Sequence, residues 1–300
     1  MSRRLRHNGE VGFTIPKNLA DSAAARGREQ WIASLPATLE VLAGRWALEI
    51  GEPYQPGGET AYVAPARSES FGEVVLKLAC RHFEADDEAE GLREWNGEGA
   101  VRLFRAEDLD DTTTALLIER CVPGLVLKTR PEDEQDRVIS ELVLQLGKEP
   151  PYGARFRPLQ DMCDNWAKAA EAEMTRLRPD VDAGLVALGV ALFRELPGSS
   201  DREVLLATDL HAENVLAARR RPWLAVDPKP FVGDPTYEVL QHMLNCEERL
   251  MADPLALCDR VAPLAELDPQ RLRLWLFARC AVELWHWPSL AGVVRALAPN

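Results

Sequence analysis

Ala207-Thr208-Asp209-Leu210-His211-Ala212-Glu213-Asn214, followed by Val226-Asp227-Pro228-Lys229, decides how this chain is read. It sets an aspartate, an asparagine five residues on, and a second aspartate thirteen residues after that. Two apolar runs, Val204-Leu205-Leu206 and Trp223-Leu224-Ala225-Val226, flank the polar loop and predict short strands on either side of it. Phosphoryl transfer needs such a set of groups. One carboxylate orients and deprotonates a hydroxyl, while a carboxamide and a second carboxylate hold a magnesium ion against phosphate oxygens. Asp and Asn are also ordinary turn residues, so their spacing alone decides little. The second aspartate, in register beside its own strand, gives the pattern its weight.

Asp-Leu-x-x-x-Asn is the spacing of protein-kinase catalytic loops, and Asp227 stands where their second, metal-binding aspartate would be. The residues upstream are consistent with that reading. Glu73-Val74-Val75-Leu76-Lys77-Leu78 predicts a strand in which Lys77 is either a solubility device on a sheet edge or the cation that holds the α and β phosphates. Glu84 to Trp95 follows, with Ala85, Ala89, Leu92 and Trp95 at helical spacing and a dense acidic face. Glu88, one turn before Leu92, is the carboxylate expected to turn inward to Lys77, with Glu90 as the alternative. Thr113 to Glu119 reads as a buried strand running into Cys121-Val122-Pro123-Gly124, a linker whose backbone at Glu119 and Cys121 suits adenine. Trp46 to Ile50 predicts a first strand, and Pro56-Gly57-Gly58-Glu59-Thr60 a turn over the phosphates. Two glycines suit any hairpin; Gly57 and Gly58 gain meaning because a lysine strand follows.

In this order, Gly-Gly-Glu-Thr-Ala-Tyr-Val, Val-Val-Leu-Lys, Leu-Leu-Ile-Glu-Arg-x-x-Pro-Gly, Asp-Leu-His-x-x-Asn and Val-Asp-Pro-Lys resemble the aminoglycoside phosphotransferase family. Within it the chain is most similar to the branch of streptomycin 6-phosphotransferases and hydroxyurea phosphotransferases, from about Thr14 to the Trp-rich C-terminal helix. The resemblance implies an α+β, protein-kinase-like bilobal fold: a small antiparallel-sheet lobe over 1–119, a hinge over 120–124 and a mainly helical lobe over 125–300. It also implies ATP and Mg²⁺, with Lys77 and Glu88 as an ion pair, Asp209 as catalytic base, and Asn214 and Asp227 as metal ligands. The chain departs from the family at three places. Ala207-Thr208-Asp209 replaces the usual His-Gly-Asp, so a bracing histidine is absent. Pro230 follows Lys229 where the branch favours glycine, stiffening the backbone and removing a donor. Glu238 stands where an aspartate is usual.

The formal net charge of −13 disfavours nucleic-acid binding and fits a small cationic acceptor. Six cysteines without a Cys-x-x-Cys pair predict reduced thiols and a cytoplasmic setting, not a disulfide frame or zinc site. No apolar run is long enough to span a membrane, and the basic start Met1 to Arg6 leads into polar residues rather than an apolar signal core. Helices are expected over Pro131–Leu146, Leu159–Leu177, Asp180–Leu196, Pro235–Leu250, Pro254–Leu264 and Pro269–Trp285. Acceptor recognition is assigned to Asp234 and Glu238, with Glu247, Glu248 and the tryptophans 275, 285 and 287 as further candidates. His211 is read as shaping the loop. Hydroxyurea, another antibiotic or a metabolite stays open as acceptor, as does a kinase-like nucleotide binder with little transfer.

Overall fold

The computed structural model describes residues 13–150, 153, 156–174, 176 and 181–299. They divide into two compact units, one running up to Gly97 and including Val101–Val122, the other made of Glu98–Ala100 and Pro123 onward.

In the first unit, α1 (Lys17–Ala25) and α2 (Glu29–Trp46) precede β1 (Leu48–Ile50), β2 (Ala61–Ser68) and β3 (Gly72–Cys80). Then come α3 (Glu88–Trp95), β4 (Leu103–Asp110) and β5 (Thr113–Glu119). The strands form one antiparallel sheet in the order β1-β2-β3-β5-β4. On α2, Trp31, Leu35, Leu39, Leu42 and Trp46 recur every three or four residues and pack with Ala64, Leu76, Leu78 and Leu117 of the sheet. The Trp31 indole N–H donates to Thr113 Oγ1 at 3.1 Å, so the buried ring keeps its polar atom satisfied. Trp46 completes this stripe as the last helical residue, which is why β1 begins later than the residue pattern suggested. Ala47 makes the turn at φ 51°.

Strand periodicity then fixes where the lysine points. Val74, Leu76 and Leu78 belong to the core under α2, so Lys77 projects from the opposite face of the central strand. The acidic helix on that side starts at Glu88 rather than Glu84. Residues 83–87 form turns, beside which Arg81 pairs with Asp86 at 3.7 Å and Asp108 at 3.2 Å.

The second unit begins with β6 (Pro123–Val126), α4 (Glu132–Leu146), α5 (Leu159–Met174) and α6 (Ala183–Glu195). Four short strands follow: β7 (Val204–Leu206), β8 (Val215–Ala218), β9 (Trp223–Ala225) and β10 (Phe231–Gly233). The chain closes with α7 (Leu240–Leu244), α8 (Glu247–Ala252), α9 (Pro254–Leu264), α10 (Pro269–Glu283) and α11 (Ala291–Leu297). β6, β8 and β9 form one antiparallel sheet, and β7 pairs antiparallel with β10. Phe193, Tyr237 and Trp275 meet edge-on or tilted in the helical core. At Gly189, α6 crosses α10 so closely that a Cβ would lie 2.3 Å from that of Ala281. Glycine is therefore the residue the packing admits.

Leu177 and Asp180, which end and open two of the expected helices, lie outside the described residues. α6 starts after Asp182, whose carboxylate accepts from the amides of Gly184 and Leu185. The single helix expected over Pro235–Leu250 is broken into a 3-10 segment (Pro235–Val239), α7 and α8. The break falls at Asn245, whose side chain donates back to Gln241 O at 2.8 Å and so competes with the next helical turn. No described helix is long and apolar enough to cross a membrane, and the six cysteines are free thiols.

Asp136 of α4 is fully buried among cations. His242 Nε2 lies 2.9 Å away, and Arg249 donates twice, at 2.8 and 2.9 Å. Arg260 adds a further bond. Burial alone would raise its pKa, but the bonds from Arg249, His242 and Arg260 hold the carboxyl well below the usual carboxylate range. Asp136, His242 and Cys246 are close enough together to hold a metal ion, yet two guanidiniums already neutralise the carboxylate. The cluster is an internal ion network joining α4 to α7, α8 and α9. Glu132 also pairs with Arg249, at 3.2 Å, but from the surface, so removing the buried carboxylate leaves His242 and two partly buried guanidiniums without their shared partner. Asp136→Asn should lower stability by about 3 kcal/mol, seen as a reduced denaturant midpoint. An unchanged midpoint would show that the network contributes nothing.

Candidate active site

Within the first unit, β3 and α3 bring Lys77 and Glu88 together. The ammonium lies 2.6 Å from both carboxylate oxygens, and both residues are almost completely buried. Glu90 instead pairs with Arg93 at the surface. Two charges out of water at this distance hold each other firmly, because either one alone would be costly to bury. Glu119 closes the end of β5: its amide donates to Arg102 O, and its carboxylate accepts from the Arg102 amide at 3.1 Å. Cys121 is a half-buried free thiol two residues further on.

Gly57 and Gly58 differ in their surroundings. The Gly57 carbonyl accepts from Asn18 Nδ2 at 3.0 Å, and a Cβ at Gly57 would lie 2.4 Å from the Pro16 side chain. Its backbone is left-handed, at φ 79°. Gly57 thus fastens the loop to the start of α1, whereas a Cβ at Gly58 would meet nothing within 4 Å.

Within the second unit, pairing of β7 with β10 and of β8 with β9 sets Asp209, Asn214 and Asp227 on adjoining loops. Asn214 Nδ2 donates to the Asp209 carbonyl at 3.1 Å and to Asp209 Oδ2 at 3.3 Å. Both bonds use Nδ2, so Oδ1 is the donor left for a metal ion. Asp227 has a left-handed backbone, φ 55°, and a side chain 40% exposed. Lys229 Nζ lies 2.7 Å from Asp227 Oδ1 and 3.9 Å from Asp209 Oδ2, while its side chain is almost buried. This lysine joins the two acidic groups, and its role was not read from the sequence. The available signal was its place two residues after the second aspartate.

The Asp209 loop is held from behind. Glu238 Oε2 accepts from the amides of Ala207 at 2.8 Å and Thr208 at 3.3 Å. Thr208 takes a left-handed backbone, φ 46°, and its hydroxyl donates to Lys229 O at 2.7 Å. The Lys229 amide donates in turn to Ala207 O. These bonds stand where a bracing histidine was missing. Burial pushes the Glu238 carboxyl up to about 7; the two amides pull it down, and the charge of Asp209 adds to the rise. His211 lies 3.7 Å from Asp209 Oδ1, and burial pushes it down to about 4, so it is neutral near pH 7.

Asp234 and Glu238, the two carboxylates assigned to a cationic acceptor from sequence, are both buried and committed inside the protein. Asp234 accepts from the Thr236 amide, from Arg271 and from the Trp275 indole, tying the entry of the 3-10 segment to α10. Glu238 holds the Asp209 loop. Their surroundings depend on α10 and on the strand pair β7–β10, neither of which local spacing discloses.

The groups present fit a nucleotide and a magnesium ion. A carboxamide oxygen and a half-exposed carboxylate are the hard oxygen donors Mg²⁺ prefers, and Lys77 is a positioned cation of the kind phosphates attract.

Residues 45–287 match the family described as aminoglycoside/hydroxyurea antibiotic resistance kinase. The chain is 32% identical over 298 residues to streptomycin 6-kinase of Streptomyces griseus, covering 95% of this chain and 94% of that protein. It is 32% identical over 290 residues to hydroxyurea phosphotransferase of Kitasatospora aureofaciens, covering 92% of this chain and 80% of that protein. Among solved structures, a thermostable mutant of aminoglycoside phosphotransferase APH(4)-Ia in ternary complex with ADP and hygromycin B has the same fold. The TM-score is 0.57 at 16% identity, over 87% of this chain and 99% of that one. The protein-kinase-like fold and a match over most of its length show that this chain belongs to the aminoglycoside/hydroxyurea antibiotic resistance kinase family.

Proposed function

We propose that this protein is an ATP- and Mg²⁺-dependent phosphotransferase that moves the γ-phosphoryl group to a hydroxyl of a small molecule. The acceptor is an aminoglycoside of the streptomycin type, and the outcome is resistance by inactivation. The observation that carries this reading is the joined set Asp209, Asn214, Asp227 and Lys229. The acceptor rests on 32% identity to a streptomycin 6-kinase over nearly the whole chain. Hydroxyurea is the second reading, favoured by equal identity to a hydroxyurea phosphotransferase. The cytoplasm is the proposed place of action, where ATP is at hand and free thiols persist.

Asp209 accepts the proton of the acceptor hydroxyl while that oxygen bonds to the γ-phosphorus. The bond from phosphorus to the β–γ bridging oxygen breaks, and its electron pair leaves with ADP. Asn214 Oδ1 and the Asp227 carboxylate would hold Mg²⁺. When bound, the ion neutralises charge on the phosphate oxygens. Lys229 offsets the mutual repulsion of Asp209 and Asp227, which lie on either side of its ammonium. Lys77, steadied by Glu88, would meet the α and β phosphates, and the backbone of Glu119 and Cys121 would meet adenine. Gly58 is the glycine of its pair with room to approach a phosphate.

Asp209→Asn should reduce streptomycin-dependent ADP release by about 10²–10⁴ while nucleotide binding persists. Turnover at the unmodified rate would remove Asp209 from the role of base. Asp227→Ala should raise the Mg²⁺ concentration needed for half-maximal rate or abolish transfer; an unaltered metal dependence would assign the ligand elsewhere. For Glu238 the pKa is higher folded than unfolded. Its contribution to stability is therefore fully present below its unfolded value, about 4.3, and is lost as pH rises through about 7. The stability difference between the original protein and Glu238→Gln should consequently shift against the original protein between pH 5 and pH 8, as read by denaturant titration. A pH-independent difference would contradict the raised value.

A further inference from the structure

Lys229 is held at its root by four neighbours. Pro228 and Pro230 stand on either side of it, each with its own φ locked by its ring. The Lys229 amide donates to Ala207 O at 2.8 Å, and its carbonyl accepts from the Thr208 hydroxyl at 2.7 Å. From this fixed backbone the side chain runs, almost buried, to Asp227. There the ammonium donates to the Asp227 carbonyl at 3.1 Å and lies 2.7 Å from Asp227 Oδ1. Asp227 thus offers a main-chain and a side-chain oxygen to one ammonium, from a left-handed backbone of φ 55°.

The same nitrogen lies 3.9 Å from Asp209 Oδ2, so one positive charge stands between the two carboxylates. Protein kinases place two Mg²⁺ ions on their second aspartate and their catalytic-loop asparagine. A metal ion shared by Asp209 and Asp227 would need an oxygen of each at about 2.1 Å. The Lys229 nitrogen fills the space those oxygens bound, and its charge repels another cation brought there. Asn214 stands apart from this exclusion. Its Nδ2 is committed to Asp209, which turns Oδ1 to a metal ion as donor.

We propose that the Lys229 ammonium takes the place of a second metal ion, so that the site holds one divalent cation per nucleotide, on Asn214 and Asp227, where a protein-kinase site holds two. The proposal deepens the phosphotransferase reading and rests on its assignment of the metal ligands. Lys229 is then a cation built into the chain, present at any Mg²⁺ concentration. Free Mg²⁺ beyond the ion that accompanies ATP adds nothing to the site.

Counting bound metal tests this directly. Mn²⁺, whose free form is read by EPR, is titrated into the full chain saturated with β,γ-imido-ATP, and into the nucleotide-free chain as a baseline for the acidic surface. The original protein should hold one Mn²⁺ per nucleotide-loaded chain above that baseline. Lys229→Met, which keeps a long side chain and removes its charge, should hold two, and Lys229→Arg should hold one. The ion gained in Lys229→Met should be lost again when Asp209→Asn is added, because that ion would bridge Asp209 and Asp227. Two ions on the original protein overturn the proposal whatever the variants do, and so does a single ion on nucleotide-loaded Lys229→Met. No Mn²⁺ above the baseline removes Asn214 and Asp227 as ligands and the proposal with them. Phosphorylation of streptomycin and hydroxyurea, assayed in parallel, separates this outcome from the broader reading. Two ions on an original protein that phosphorylates either compound leave the phosphotransferase reading standing and the Lys229 assignment wrong. One ion on the original and two on Lys229→Met, with neither compound phosphorylated, leave the cation assignment standing and remove the acceptors.

Discussion

Two backbone amides and one buried carboxylate fix the Asp209 loop. Glu238 accepts from Ala207 and Thr208, Thr208 reaches Lys229 O, and the Lys229 amide returns to Ala207 O. This ring of bonds sets the backbone from which Asp209 projects and fixes Lys229 between Asp209 and Asp227. A buried acid is costly unless its hydrogen bonds are good, and the raised value of Glu238 reflects that cost. The constraint is mutual: the amides need an acceptor, and the carboxyl needs donors. Asn214, by bonding to Asp209, attaches the far end of the loop to the same frame.

How much of this was legible in the sequence depends on whether the deciding contacts are local. Asp209, Asn214 and Asp227 stand out because one loop and one strand pair fix their spacing. Lys77 and Glu88 were legible because strand alternation and helical periodicity each put a polar group on a defined side. The internal partners of Asp234 and Glu238 were not legible because they lie in distant segments, Arg271 and Trp275 for one, Ala207 and Thr208 for the other. Their acidic character suggested a cation outside the protein, while folding supplied donors within it. The helix break at Asn245 escaped notice for a related reason. An asparagine in an apolar-periodic stretch is tolerated, and only its bond to Gln241 O shows which alternative the backbone took.

The two units bury charge in different ways. In the first, Lys77 and Glu88 form a buried pair of opposite charges. In the second, Asp136 serves several cations at once, and its position between α4 and the C-terminal helices makes it a hub of attachment. Much of the chain's acidity lies elsewhere, in surface pairs such as Arg194 with Glu171 and Arg273 with Asp259, each worth little to stability. Net charge is therefore a poor guide to which carboxylates matter. Burial and partner geometry separate them.

Thr208 occupies a left-handed backbone position that a β-branched residue rarely adopts. Glycine, usual there in the family, would take that conformation without penalty. Thr208 instead offsets the penalty with a hydroxyl bond to Lys229 O. The tolerated alphabet at this position is consequently split. A residue must either lack a Cβ or bring an oxygen to the same carbonyl, and bulky apolar residues satisfy neither condition. Sequence drift beside the Asp209 carboxylate is thus confined to two narrow chemical solutions, and this chain uses the second.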